Sequence, residues 1–158
     1  MKAIMAMSEN RAVGKNGGLP WPIIKDDFKY FKEFTTNKIL VCGHRTFDTL
    51  PPLRNRNIII VSSTSNGYED SYDPIFNSAL CYKSFQDILE IKECQPNLVC
   101  IGGAKTYALF LPYITEFHVT HVKDSYDADT YMPPFEHLFD KQEVVKEFDG
   151  HKVIKYSK

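Results

Sequence analysis

The sequence predicts an α/β protein, with a three-layer α/β/α fold whose mostly parallel central sheet is closed by a C-terminal antiparallel hairpin. Short, continuous apolar runs alternate with helix-like segments through most of the chain, and such runs are typical of strands buried on both faces. Near the C-terminus, two segments (144–148 and 152–156) flank Asp149-Gly150, a dipeptide that favours a two-residue hairpin turn. Alternating strands and helices place helices on both faces of a parallel sheet.

Six strands are predicted before the hairpin. They cover residues 2–7, 39–42, 57–63, 80–82, 98–101 and 116–123. The predicted helices cover residues 26–35, a short stretch that opens at Gly43 and ends before Pro51, residues 85–93 behind the N-cap Ser84, and residues 104–111. Residues 8–25 form a long glycine-containing loop of the kind that often serves as a lid, residues 64–77 a polar exposed connection, and residues 124–129 an acidic loop.

Composition limits the class of protein. The 158 residues fit a single domain over 1–158, and 43% of them are hydrophobic, which is enough for a sizeable core. The net charge is −1 with no long block of one sign, which argues against nucleic-acid and membrane-surface binding. No apolar run approaches the length of a membrane span. We therefore expect a cytoplasmic monomer without nucleic-acid or membrane partners.

The cysteines and histidines do not form a metal-binding pattern. There are four cysteines and no CxxC pair, so we expect free thiols in a reducing compartment. His118 and His121 lie three residues apart on a predicted strand, where that spacing puts them on opposite faces. We expect no metal site.

Three predicted strands end in residues suited to an anionic ligand. One runs into Gly43-His44-Arg45-Thr46, one into Ser62-Ser63, and one into Gly102-Gly103-Ala104-Lys105-Thr106. The carboxyl ends of parallel strands meet at one edge, and helix N-termini there offer backbone N–H groups and a positive dipole. A pyrophosphate is the expected occupant, although each motif alone is also common in structural turns.

The type of nucleotide follows from the charges near these strand ends. The G-x-G-x-x-G fingerprint is absent, and no acidic residue follows the second strand to bind a ribose 2′-hydroxyl. Cationic His44 and Arg45 occupy the comparable region, with Lys83 at the next strand end. This favours a 2′-phosphate and hence NADP(H), while the alternative is a solvated basic cluster.

The helix predicted over 26–35 carries two adjacent acidic residues. Asp27 shares a face with Phe28, Phe31 and Phe34, whereas Asp26 shares a mostly polar stripe with Lys29, Tyr30 and Glu33. A carboxyl group on an aromatic face, beside Trp21 in the glycine-containing loop, predicts an anchor for a polar ligand. The alternative is a helix N-terminus, where aspartate caps the helix or interacts with its dipole.

Taken together, these residues resemble one family. Trp21, Asp27, Phe31, Gly43-x-Arg45-Thr46, Arg56, Ser62-Ser63, Ile101-Gly102-Gly103, Tyr107 and Thr120 follow the order and spacing of dihydrofolate reductase over nearly the whole chain. The resemblance implies the NADPH-dependent reduction of 7,8-dihydrofolate to tetrahydrofolate in one-carbon metabolism, with a hydride to C6 and a proton to N5. It also implies binding of antifolates such as methotrexate, and a cis peptide bond between Gly102 and Gly103.

The resemblance also implies roles for individual residues. The implied catalytic residues are Asp27, Trp21, Tyr107 and Thr120. The implied substrate-binding residues are Ile4, Met5, Asp27, Phe28, Phe31, Lys32, Leu50, Leu53, Arg56, Ile101 and Thr120. The implied NADPH-binding residues are Ala6, Ala12, Val13, Gly14, Lys15, Asn16, Gly17, Gly18, Leu19, Gly43, His44, Arg45, Thr46, Ser62, Ser63, Lys83, Gly102, Gly103, Ala104, Lys105, Thr106, Tyr107 and Leu109.

Some alternatives remain open at this point. Asp27 lies six positions after Trp21, where some bacterial members have five, so Asp26 is a rival for the anchor. Either His44 or Arg45 can meet the 2′-phosphate. The rival functions are a same-fold reductase of a riboflavin precursor, and a non-catalytic folate- or nucleotide-binding component of an assembly.

Overall fold

The computed structural model describes residues 1–62, 70–93 and 95–158. The strands are β1 (Lys2–Ser8), β2 (Ala12–Gly14), β3 (Ile39–Gly43), β4 (Asn57–Val61), β5 (Ser71–Asp73), β6 (Ser78–Lys83), β7 (Leu98–Gly102), β8 (Glu116–Val122), β9 (Thr130–Tyr131), β10 (Lys141–Phe148) and β11 (His151–Ser157). The helices are α1 (Lys25–Thr35), α2 (His44–Thr49), α3 (Phe85–Ile91) and α4 (Ala104–Phe110), with short 3₁₀ turns at Leu111–Tyr113 and Glu136–Leu138.

A nine-stranded sheet forms the middle layer, in the order β10-β11-β8-β1-β7-β3-β4-β6-β5. All neighbouring pairs from β8 to β6 are parallel, while β10, β11 and β5 join as antiparallel strands. Asp149 and Gly150 have φ values of 49° and 82° at the hairpin turn, as a type I′ turn requires. The predicted fold class is therefore confirmed.

Apolar side chains fill both faces of the sheet. The core on the face of α1 and α2, here called the pocket-face core, contains Ile4, Leu40, Cys42, Ile58, Ile60, Val99 and Ile101, with Tyr30, Phe31, Phe34, Phe47, Leu50 and Leu53 packed against them. The opposite-face core lies under α3 and α4 and includes Met5, Val41, Ile88, Cys100, Phe110 and Phe117. Consecutive strand residues alternate between the two, as strand geometry dictates.

Several differences from the sequence-based prediction concern short elements. The predicted exposed connection over 64–77 contains β5. The predicted lid contains β2, which pairs with β9 directly after the predicted acidic loop over 124–129. Strand β4 ends at Val61, before the predicted boundary at Ser63. Ser63 and Cys94 lie outside the described residues. Burial raises the pKa of the free Cys42 and Cys100 thiols to about 12.

The predicted cis peptide bond between Gly102 and Gly103 is present. Gly102 has a φ of +115°, a backbone conformation that favours glycine. None of the helices in the described residues has both the length and the apolar character needed to cross a membrane.

Candidate active site

The two adjacent aspartates of α1 differ in their surroundings. Asp26 is exposed, whereas Asp27 is partly buried and its carboxyl accepts a 2.7 Å hydrogen bond from the Thr120 hydroxyl in β8. Burial raises the pKa of Asp27 above its ordinary value, and the bond from Thr120 and the charge of His151 oppose that rise. The expected facing of the two residues is confirmed, so a carboxyl group lies between α1 and the sheet.

Most of the predicted apolar wall lies on the face of the sheet that α1 covers. Ile4, Phe31, Leu50, Leu53 and Ile101 all belong to the pocket-face core. Phe28 is 46% exposed, and Lys32 is also exposed on α1.

Met5 does not line this pocket. It follows Ile4 on β1 and therefore points to the opposite-face core, so its prediction as a wall residue is wrong for its side chain.

Arg56 lies at the far end of α1 from Asp27 and is only 6% exposed. Its Nε donates to the Arg54 carbonyl at 2.8 Å, and its Nη1 donates to the Thr35 hydroxyl at 3.2 Å. Among the described residues, no carboxylate forms an ion pair with Arg56. Its guanidinium charge is therefore uncompensated by protein acid groups there, which suits an anionic ligand.

The glycines at two strand ends let each turn pack closely against a threonine side chain of the other turn. A Cβ added to Gly43 would lie 3.0 Å from Thr106 Oγ1, and one added to Gly103 would lie 3.2 Å from Thr46 Oγ1. These glycines are the N-caps of α2 and α4 and have no side chain to cap the first N–H groups. The pair of turns forms a bare backbone cradle, here called the glycine cradle, and it fits a pyrophosphate.

The basic residues next to the glycine cradle are accessible. His44 and Arg45 are both exposed, and His44 Nδ1 lies 3.3 Å from the Asp48 carboxylate. At the neighbouring strand end, the backbone N–H of Ser62 donates to the carbonyl of Lys83. Arg45 thus offers a cationic group to a phosphate beside these strand ends.

The remaining predicted coenzyme-binding residues on α4 lie at different distances from the glycine cradle. Ala104, Lys105 and Thr106 are in its first turn, beside Gly103. Leu109 is 41% exposed, and five residues along a helix correspond to about 7.5 Å from Ala104. Leu109 is therefore the predicted α4 residue farthest from the glycine cradle.

The predicted lid over 8–25 is held by strand pairing, a hydrogen bond and an ion pair to segment 124–136. Strand β2 pairs with β9, the backbone N–H of Asn16 donates to Asp129, and Lys15 forms a 3.1 Å ion pair with Asp127. Within the lid, Val13 and Gly14 lie on β2, Gly17, Gly18 and Leu19 are at the exposed tip, and Ala12 is buried. Ala6 lies beside Thr120 on the neighbouring strand.

Trp21 is a buried residue with an unused donor. Its side chain is 5% exposed, and its indole Nε1 has no hydrogen-bond partner among the described residues. Buried indole N–H groups usually find an acceptor, so this donor fits a site that binds a polar ligand.

Tyr107 connects α4 to β1. Its hydroxyl donates to the Ile4 carbonyl at 2.5 Å. Its ring packs against Gly102, and a Cβ added to that glycine would lie 3.2 Å from the ring. Burial raises the pKa of Tyr107 well above 10. The Tyr107 hydroxyl keeps its proton and donates it in a hydrogen bond to a backbone carbonyl, which favours a positioning role over proton transfer.

Sequence reasoning missed a polar chain beside Asp27. Tyr30, assigned to a polar stripe, is half-buried and hydrogen-bonds to His118, which in turn hydrogen-bonds to Glu116. The available signal was the spacing of Glu116 and His118, because residues two apart on a strand share a face.

Comparison with known proteins agrees with this geometry. The family model described as dihydrofolate reductase matches residues 1–157. The chain belongs to the dihydrofolate reductase family. It is 31% identical to dihydrofolate reductase of Bacillus subtilis (strain 168) over 134 residues, which cover 84% of this chain and 75% of that protein. It is 34% identical to dihydrofolate reductase of Ureaplasma parvum over 152 residues, covering 94% and 92%.

A solved structure extends the likeness to three dimensions. Dihydrofolate reductase from Enterococcus faecalis, complexed with NADP(H) and RAB-propyl, superposes with a TM-score of 0.79 at 25% identity, over 99% of this chain and 94% of that chain. The chain is thus an NADPH-dependent dihydrofolate reductase. The glycine cradle lies where the pyrophosphate of this coenzyme is expected, and exposed His44 and Arg45 beside it are the two candidates for its 2′-phosphate.

Proposed function

We propose that Asp27 anchors the pterin ring during dihydrofolate reduction, bonding to its 2-amino group and N3 while Thr120 supports the carboxyl from behind. The observation that carries this proposal is the Thr120–Asp27 hydrogen bond of 2.7 Å between α1 and β8. A carboxyl group whose pKa is raised by burial gains most from a cationic partner, because binding a protonated pterin compensates the buried charge.

Asp27 acts electrostatically on a proton that arrives at N5. Bound NADPH supplies the hydride that reduces the pterin at C6. The Asp27 carboxylate raises the basicity of N5, and a water is the immediate proton donor. The lid over 8–25 and the walls Phe31 and Ile101 hold the ring and exclude bulk water, which strengthens the carboxylate's effect.

Arg56 clamps the glutamate α-carboxylate of the substrate in this proposal. Its burial, its two hydrogen bonds to Arg54 and Thr35, and the absence of an ion pair among the described residues all support that role. A guanidinium matches a carboxylate in a bidentate geometry, and this fixes the direction of the substrate's tail along α1.

We also propose that the protein is a cytoplasmic monomer and that residues 1–158 form one domain. The first and last strands, β1 and β11, belong to the same sheet, which supports a single folding unit. Light scattering coupled to size-exclusion chromatography tests the monomer. A dimer at micromolar concentration would contradict it.

An assay of NADPH oxidation with dihydrofolate tests the whole assignment. We expect turnover with dihydrofolate, inhibition by methotrexate, and tighter methotrexate binding in the presence of NADPH. Asp27→Asn should lose turnover while still binding NADPH. Retention of wild-type turnover by Asp27→Asn would show that another group anchors the pterin.

A further inference from the structure

A partly buried chain of three polar side chains, with His118 at its buried centre, joins the helix of the proposed pterin anchor to β8. The Tyr30 hydroxyl and His118 Nδ1 are 2.7 Å apart, and His118 Nε2 and Glu116 Oε1 are 2.6 Å apart. His118 is 8% exposed, and its ring packs against Phe34 with the centroids 4.5 Å apart. The activity described above assigns no role to these three residues.

The chemistry of the chain defines the direction of its hydrogen bonds. An ionised carboxylate can only accept, so His118 Nε2 carries a proton and its N–H donates to Glu116. In a neutral imidazole the other nitrogen then accepts, and the Tyr30 hydroxyl donates to it. Both nitrogens of the imidazole are therefore used: Nδ1 joins β8 to Tyr30 of α1, and Nε2 is held by Glu116 of the same strand.

Burial favours this neutral form of His118. Burial lowers the pKa of His118, and the cations of Lys2 on β1 and Lys155 on β11 act in the same direction, against Glu116. On β10, Glu143 pairs with Lys155 at 3.3 Å, and Lys146 lies over the Tyr30 ring. On α1, Tyr30 is the ionisable group that hydrogen-bonds to the imidazole.

The first turn of α1 has little support of its own. The N-cap residue Ile24 makes no side-chain capping bond, and helix ends without caps fray. Asp27 lies in this turn, and Tyr30 follows it by three residues on a neighbouring position of the helix surface. Both residues bond to β8, at Thr120 and His118, which are two residues apart and share one face of the strand.

We propose that Tyr30 and His118 are positioning residues for Asp27: with Glu116 they hold α1 at the spacing from β8 at which the Asp27 carboxyl meets the Thr120 hydroxyl. The inference rests on the proposed role of Asp27. Without the Tyr30–His118 bond, the first turn of α1 moves away from β8 and the Thr120–Asp27 bond weakens.

The variant Tyr30→Phe tests this, because it removes the hydroxyl and leaves the ring. The chain offers a matched control in Tyr156→Phe, since the Tyr156 hydroxyl lies 2.9 Å from His121 Nε2 on the opposite face of the sheet. Both variants lose one hydroxyl–imidazole bond, but only the first loosens α1. Thr120→Val marks the effect of losing the bond to Asp27 completely.

Two measurements distinguish positioning from plain stability. Thr120 lowers the pKa of Asp27, so ¹³C NMR titration of the ligand-free protein should show that pKa higher in Tyr30→Phe, in the direction of Thr120→Val, and unchanged in Tyr156→Phe. The KM for dihydrofolate should rise by about twofold to tenfold in Tyr30→Phe, as expected for one hydrogen bond, with the KM for NADPH unchanged.

Conservative replacement of His118 provides a rescue test. The side-chain amide introduced by His118→Asn keeps an acceptor near the position of Nδ1, so this variant should stay within about twofold of wild type. His118→Phe removes the acceptor and should reproduce Tyr30→Phe, with no further loss when the two changes are combined.

The proposal is overturned if Tyr30→Phe lowers thermal stability as Tyr156→Phe does but leaves the Asp27 pKa and the dihydrofolate KM at their wild-type values. That result is distinct from failure of the proposed function. If Asp27→Asn and Thr120→Val also leave turnover unchanged, the anchor itself is misassigned, and the positioning proposal fails with it.

Discussion

The Thr120 hydroxyl in β8 donates a 2.7 Å hydrogen bond to the Asp27 carboxyl in the first turn of α1. The bond crosses the space between a helix and a sheet, where aromatic and aliphatic side chains and the Tyr30–His118 hydrogen bond also lie. It stabilises the ionised form of a carboxyl group that burial disfavours, and this balance leads to the first two predictions.

Replacing Asp27 by asparagine should remove the charge and keep the shape. We expect Asp27→Asn to lower the hydride-transfer rate by about 10²- to 10⁴-fold at neutral pH, with partial recovery in acid, where the substrate is already protonated. The measurement is the pH dependence of that rate. Asp26→Asn, at the exposed neighbouring position, is the control and should stay within a few-fold of wild type. An acid-rescued defect in Asp26→Asn would reverse the assignment.

The same substitution should stabilise the ligand-free protein at neutral pH. The folded-state pKa of Asp27 is raised above its ordinary value of 3.8, so the fold favours the protonated form. The stability contributed by Asp27 is therefore fully present below pH 3.8 and is lost as the pH rises through the folded-state pKa. Urea unfolding of Asp27→Asn and wild type should differ at neutral pH and converge in acid. A difference that grows in acid would contradict this sign.

Arg56→Ala should weaken the binding of dihydrofolate and methotrexate by about 2–5 kcal/mol, as expected for a lost charge-assisted pair. NADPH affinity should be nearly unchanged, because Arg56 lies near the far end of α1 and not at the glycine cradle. Isothermal titration of each ligand measures this. Arg54→Ala, at an exposed arginine two residues away, is the control. If the affinity for NADPH fell as much as the affinity for dihydrofolate, the substitution would have caused a folding defect.

Coenzyme choice should depend on Arg45. Arg45→Ala should reduce the preference for NADPH over NADH by about tenfold or more, because one charge-assisted phosphate contact is lost. Most of this change should be a lower kcat/KM for NADPH, with the value for NADH little altered. His44→Ala should have a smaller effect, since Asp48 lies 3.3 Å from the imidazole. The ratio of kcat/KM for the two coenzymes is the measurement. Equal use of NADH and NADPH by wild type would refute the 2′-phosphate assignment.

Gly43 should tolerate alanine only when Thr106 also changes. A Cβ on Gly43 would be 3.0 Å from Thr106 Oγ1, so Gly43→Ala should cost about 1–3 kcal/mol of folding free energy and weaken NADPH binding. Adding Thr106→Ala removes the crowding atom and should restore part of the stability. Gly18→Ala is the control, because its Cβ would meet no atom closer than 3.8 Å. If Thr106→Ala restored no stability to Gly43→Ala, crowding against Thr106 Oγ1 would not be the cause of the loss.

Much of this architecture could be predicted because its signals are local. Apolar runs identified the central strands, and Asp149-Gly150 identified the hairpin turn. The short strands β2, β5 and β9 were missed because two or three residues carry no measurable periodicity, and their pairing depends on distant segments.

The site shows the same division. The direction in which Asp27 faces follows from helical periodicity. Strand alternation alone could have excluded the Met5 side chain from the pocket wall, because its neighbour Ile4 faces the pocket. The Tyr30–His118 contact joins residues 88 positions apart, and nothing local in either segment indicates it. Tyr30 has a polar tip and a large apolar ring, so a helical wheel cannot decide whether it faces solvent or sheet.

Arg56 is ordered before any ligand arrives. Long side chains usually lose rotamer entropy on binding, at a cost of about 0.5–1.5 kcal/mol each. Here Nε and Nη1 are already held by Arg54 and Thr35, and Thr35 is itself bonded to the Phe31 carbonyl. Folding has therefore already restricted this guanidinium. A carboxylate that reaches it meets a receptor whose geometry exists beforehand, and little conformational freedom remains to be lost in recognising the substrate's tail.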